Sequence, residues 1–121
     1  MVPDDARLDD VIDTYARAWS DPDPAVRRQR LAEVWADGAT YADPTADAVG
    51  AEQLAAHIDD VQAGYPGAIE RTSAVDAHHD VARFTWRYVL ADGSVLVDGL
   101  DVVTLTEGRI ASITGFFGPL D

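Results

Sequence analysis

The sequence has 121 residues, 47% of them hydrophobic, and a formal net charge of −13 at pH 7. That length suits one buried core, so a single domain over residues 1–121 is expected, and the negative charge repels nucleic acid and anionic membranes alike. Cysteine is absent and all nine basic residues are arginines, which removes disulfides, thiol nucleophiles, thiolate metal sites and side-chain Schiff bases.

The opening MVPDDARLDD carries acid where a signal peptide carries base, and no apolar run reaches the length of a membrane span, so a cytoplasmic location with no membrane partner is expected. Leu8, Val11, Ile12, Tyr15, Ala16 and Trp19 recur at three- and four-residue spacing, predicting a first helix over residues 5–19 with this face buried. Asp21-Pro22-Asp23-Pro24 breaks the chain. Asp23 is placed to cap a second helix and Pro24 to open it, with Val26, Leu31, Val34 and Trp35 as its apolar positions and Asp37-Gly38 as its end.

Residues 39–43 then read as a short strand halted by Pro44. After Gly50 a third helix places Leu54, His57, Ile58 and Val61 on one face before Tyr65-Pro66-Gly67 stops it. Four strands follow, over residues 69–78, 81–90, 95–106 and 109–117. The turn signals His79-Asp80, Asp92-Gly93 and Glu107-Gly108 separate them, and such short connections make consecutive strands antiparallel neighbours. Three helices before a curved, mostly antiparallel sheet predict an α+β, cone-shaped fold that encloses a pocket.

Side chains two apart on a strand share a face, and Val95, Val97, Gly99, Asp101, Val103 and Leu105 form one such face with Asp101 as its only ionisable member. Burying a lone carboxylate is costly enough that the group keeps its proton and becomes a hydrogen-bond donor. A bulge that turns Asp101 to solvent, or an arginine that neutralises it, are the alternatives. On the preceding strand Phe84, Trp86, Tyr88 and Leu90 share a face, opposite Arg83, Thr85 and Arg87, so the aromatics serve as pocket wall, as core, or as both.

Tyr15 lies within the apolar stripe of the first helix, where its hydroxyl needs a partner. Asp43 shares a face with Tyr41 at the end of its strand, although Asp-Pro is also a common turn former. His57 sits on an apolar helical face, where a hydrogen-bonded core histidine is the commoner use. His78-His79-Asp80 reads as a turn, because adjacent strand residues point to opposite faces, so no metal is expected. No Gly-rich phosphate loop, GxSxG elbow or HExxH helix occurs, and no cofactor is expected.

In VIDTYARAW, WADGATYADP, GLDVVTL and GRIASITGFFG, and in the order and length of its elements, the chain resembles the nuclear transport factor 2-like superfamily. That superfamily includes ketosteroid isomerases, SnoaL-like polyketide cyclases and limonene epoxide hydrolases. The nearest catalytic resemblance is to ketosteroid isomerase, whose site combines an aspartate base with a tyrosine and a protonated aspartic acid. The resemblance implies Asp43 as base, with Tyr15 and protonated Asp101 as the oxyanion hole for an enolate. Ile58 stands where those isomerases carry a further tyrosine, with His57 beside it as a substitute.

The resemblance further implies a small apolar or polycyclic ligand, contacted by Trp19, Trp35, Tyr41, His57, Ile58, Phe84, Trp86, Tyr88 and Phe117, and a homodimer formed through the outer sheet face. The expected activity is that of an isomerase or lyase abstracting a proton next to a carbonyl. Its alternatives are a non-catalytic domain that binds an apolar ligand, a SnoaL-like cyclase, and an epoxide hydrolase. The last would need an arginine between two carboxylates.

Overall fold

The computed structural model describes residues 5–118, so the opening MVPD weighed against a signal peptide lies outside the described residues. Helix α1 (Asp5–Ser20) buries the predicted stripe apart from half-buried Val11, and it also encloses Ala18, which the stripe did not include. Asp23 caps α2 (Pro24–Val34) by accepting the Ala25 N–H at 2.9 Å, and Pro24 occupies a first-turn position where no amide donor is needed.

The second helix is shorter than its apolar spacing predicts. Trp35 does not extend α2 towards Asp37-Gly38; it is extended (φ −94°, ψ 121°) and begins β1 (Trp35–Asp43). Pairing with Ile110 and burial of its indole draw Trp35 into the sheet. The irregularity between Trp35 and Thr40 is absorbed in part by Gly38, whose φ of +71° suits glycine. Asp43 and Ala46 pair across Pro44 and Thr45 to make a hairpin with β2 (Ala46–Val49). That strand is absent from the sequence reading, because four residues of Ala, Asp and Val carry little strand signal without their partner.

Helix α3 (Ala51–Gly64) stops at Tyr65. The single strand expected over residues 69–78 is divided into β3 (Gly67–Arg71) and β4 (Asp76–His78), both paired antiparallel with β5 (Val81–Leu90). At the break, the Thr72 N–H donates to the Thr85 carbonyl and the Thr85 N–H to Ser73 Oγ, so side chain and backbone together replace the missing ladder. Strands β6 (Val95–Thr106) and β7 (Arg109–Phe117) complete the sheet.

Sheet order is β2-β1-β7-β6-β5-β3, with β1 and β7 parallel and every other pair antiparallel. The three helices pack on a curved, unclosed sheet in the expected α+β arrangement. A bulge sets Leu96 outside the β5–β6 ladder, and beyond it Val95 is exposed instead of continuing the buried face. Asp13 and Arg71 bind through two contacts, at 2.9 and 3.2 Å, and tie α1 to β3. Gln62 of α3 donates to the carbonyls of Trp19 and Gly67 and accepts the Gly67 N–H, which ties α3 to the end of α1 and the start of β3. Among the described residues no helix is long and apolar enough to cross a membrane.

Candidate functional site

Between α1, α3 and the concave sheet face lies a cavity of about 340 Å³, a size usual for small-molecule sites. Alternation along β5 turns Phe84, Trp86 and Tyr88 into it, while Arg83 and Arg87 on the opposite face form exposed ion pairs with Asp76 and Glu70. Tyr15, Trp19, Tyr41, Asp43, His57, Asp101 and Phe117 also line it.

Two residues expected at the ligand do not reach it. Trp35 stacks on the far side of the Tyr15 ring, with centroids 6.0 Å apart and planes at 17°, and its Nε1 donates to the Ala39 carbonyl. Ile58 is wholly buried, because the residue after His57 lies about 100° further around the helix and turns into the core. Both support the wall from behind.

Asp101 is 5% exposed, and neither a bulge nor an arginine relieves it. Its Oδ1 accepts the Trp86 Nε1–H at 2.9 Å. Burial pushes its pKa up to about 7, the Trp86 bond opposes that rise and the charge of Asp43 adds to it. The strand partner of Asp101 is Gly115, where a Cβ would come within 2.9 Å of Oδ1 and 3.5 Å of Asp43 Cβ. Glycine there lets the two carboxyls share one end of the cavity.

The Tyr15 hydroxyl oxygen accepts the Trp19 Nε1–H at 2.9 Å. Burial, then the charge of Asp101, raises the Tyr15 pKa well above the usual phenol value, so its proton stays in place. Each indole N–H thus occupies an acceptor site, one on Tyr15 and one on Asp101. The Tyr15 O–H, and the acid O–H of Asp101 when it is protonated, remain to donate into the cavity.

Asp43 is positioned by its own turn. Its Oδ1 accepts from the Thr45 N–H at 2.7 Å and the Thr45 hydroxyl at 2.8 Å, and its Oδ2 accepts from the Tyr41 hydroxyl at 2.5 Å. His57 Nε2 stands 3.8 Å from Oδ2, close enough for an ion pair but longer than a hydrogen bond. Burial opposes the Asp43 charge. The contact with His57 and the bonds from Tyr41 and Thr45 outweigh it and hold the pKa well below the usual carboxylate range. One carboxyl is therefore kept ionised, while burial favours the protonated form of the other.

The sequence reading did not place Val61, Tyr65, Ile69, Leu96, Val97 and Thr45 at the cavity. Val61 was accessible to it, four residues after His57 on the same helical face, as was Val97 on the Asp101 face. Leu96 owes its place to the bulge. Among the described residues no group of three metal-ligating side chains comes together, and His78 and His79 meet only each other, Nδ1 to Nδ1 at 3.0 Å.

Residues 11–113 match the family described as SnoaL-like domain. No curated protein matches the sequence. Among solved structures, a SnoaL-like family protein from Agrobacterium tumefaciens, proposed to be an isomerase, is 32% identical with a TM-score of 0.87, covering 94% of this chain and 99% of that one. A proposed ketosteroid isomerase from Kribbella flavida is 13% identical with a TM-score of 0.73, covering 96% and 81%. A proposed polyketide cyclase from Sinorhizobium meliloti is 19% identical with a TM-score of 0.72, covering 93% and 98%. The last two likenesses are of fold alone.

Proposed function

The chain belongs to the SnoaL-like domain family of the nuclear transport factor 2-like superfamily, and from that membership we propose that it is a small-molecule enzyme abstracting a proton next to a carbonyl. The observation that carries the proposal is the pairing of unlike carboxyls in one cavity, Asp43 bonded by Tyr41 and Thr45 and Asp101 buried with the Trp86 N–H as its partner. Such divergence assigns acid and base tasks. The Asp43 end of the cavity supplies the negative charge that removes and returns the proton. Beside it, Tyr15 and protonated Asp101 donate to the oxygen that gains charge as the enolate forms.

The aromatic walls suit an apolar ring system. Trp86 and Phe117 meet edge to face at 6.1 Å, and Phe84 and Tyr88 continue that surface. Epoxide opening ranks lower, since among the described residues no arginine lines the cavity. A binding-only module is the reading from another class, and there the aromatics matter while Asp43 does not. The proposal also includes a homodimer through the outer sheet face, where Phe116 is exposed; sedimentation showing only monomer would remove it.

The test is hydrogen–deuterium exchange next to the carbonyl in a panel of bicyclic ketones, followed by NMR. Tyr15→Phe and Asp43→Asn proteins are expected to lose turnover of any ketone the wild type accepts. Undiminished turnover in both would refute the assignment.

A further inference from the structure

Asp43 already accepts three hydrogen bonds. An ionised carboxylate offers about four acceptor sites. Here two on Oδ1 are taken by Thr45 and one on Oδ2 by Tyr41, and His57 Nε2 stands 3.8 Å from Oδ2 without bonding it. A substrate C–H approaching Asp43 has only the one remaining site open to it, on Oδ2 beside His57. The same bonds pin the carboxylate in place, so it cannot follow a proton from one carbon to another.

His57 has the freedom that Asp43 lacks. It projects from α3 into the cavity, its side chain is 21% exposed, and among the described residues neither ring nitrogen makes a hydrogen bond. Its ring meets Trp19 edge to face at 5.8 Å and lies tilted on Tyr41 at 6.0 Å. With Nε2 facing a carboxylate, the N–H belongs on Nε2 and the lone pair on Nδ1. A side-chain movement of about 1 Å closes the Nε2–Asp43 gap to hydrogen-bond length.

We infer that His57 is the group that takes and returns the proton, with Asp43 acting through it as the fixed anion. This rests on the carbonyl reading above and deepens it. The substrate C–H bond breaks, its electron pair moves into the enolate whose oxygen Tyr15 and Asp101 hold, and the proton bonds to Nδ1. The imidazolium so formed is neutralised by Asp43, as in a histidine–aspartate pair of a hydrolase. Return of the same proton to carbon restores neutral histidine, and no further reactant is required.

Two measurements test this. The first is exchange of β-tetralone in deuterated buffer by wild type, Asp43→Asn and His57→Ala, with and without added imidazole, and with 2-naphthol binding as the check on an intact cavity. His57→Ala is expected to lose about 100-fold in exchange rate and to regain about tenfold with imidazole. Exchange by His57→Ala within about threefold of wild type while Asp43→Asn loses it, or a folded His57→Ala that imidazole does not rescue, would overturn the inference.

The second is nitrogen-15 NMR of histidine-labelled protein, with His57→Gln to assign the resonance. A protonated Nε2 and a bare Nδ1 are expected; the opposite tautomer would overturn the inference even if no ketone is turned over. Absence of exchange by wild type across ketones, with the expected tautomer present, would count against the carbonyl reading and leave the histidine–aspartate pair standing.

Discussion

Replacing Asp101 by asparagine keeps an oxygen for the Trp86 N–H and a donor for the cavity but removes the titration. Holding the carboxyl at about 7 against an ordinary 3.8 costs the folded protein about 4 kcal/mol once Asp101 is ionised. The sign follows from proton binding. Between these values the folded state holds a proton that the unfolded state has released, so stability from this group is complete below about 3.8. It falls as pH rises and is lost above about 7. Urea unfolding of wild type and Asp101→Asn, measured from pH 4 to pH 8.5, should show the variant's advantage grow with pH by up to about 4 kcal/mol, subject to a constant offset from the substitution itself. A stability difference that does not change with pH would refute a buried, raised Asp101 and with it the donor assigned to the cavity.

Gly115→Ala puts a methyl 2.9 Å from Asp101 Oδ1 and should cost about 1–3 kcal/mol in unfolding experiments while abolishing ligand binding; unchanged stability would show that the two carboxyls have room to part. Trp19→Phe keeps the aromatic wall but removes the N–H given to Tyr15, and should weaken 2-naphthol binding about fivefold by fluorescence titration. Tyr41→Phe removes one bond that holds Asp43 ionised. A depressed carboxylate contributes stability above its unfolded pKa that is lost as pH falls, so this variant should unfold in acid at a higher pH than wild type. An unshifted acid midpoint would mean that the tyrosine does not support the charge.

The elements most legible in the sequence were those whose signal is local and repeated. The 3.6-residue stripe of α1, the Asp23-Pro24 opening of α2 and the alternation of β5 each need no partner to be recognised. The errors arose where pairing decides. Trp35 fits a helical stripe as well as a strand and is claimed by β7, β2 exists only through its hairpin with β1, and β3 and β4 are divided by hydrogen bonds to Thr85. At the site, the isolation of Asp101 on an apolar face was visible because strand periodicity is strict. The pinning of Asp43 was not, since Thr45 acts through turn geometry and His57 approaches from another element. Ile58 shows the converse: a position matched by resemblance whose side chain faces the core.

On the proposed function, the cavity stabilises negative charge on a ligand oxygen through Tyr15 and Asp101. Its most direct test is spectroscopic titration of 2-naphthol, an enolate analogue whose absorbance and emission report its hydrogen bonding and ionisation, against wild type, Tyr15→Phe and Asp101→Leu. Saturable binding by wild type with a strongly hydrogen-bonded or naphtholate-like spectrum is predicted, and each substitution should weaken it about tenfold to a hundredfold, as expected for bonds to a charged group. Absence of binding, or binding indifferent to both substitutions, would contradict the claim.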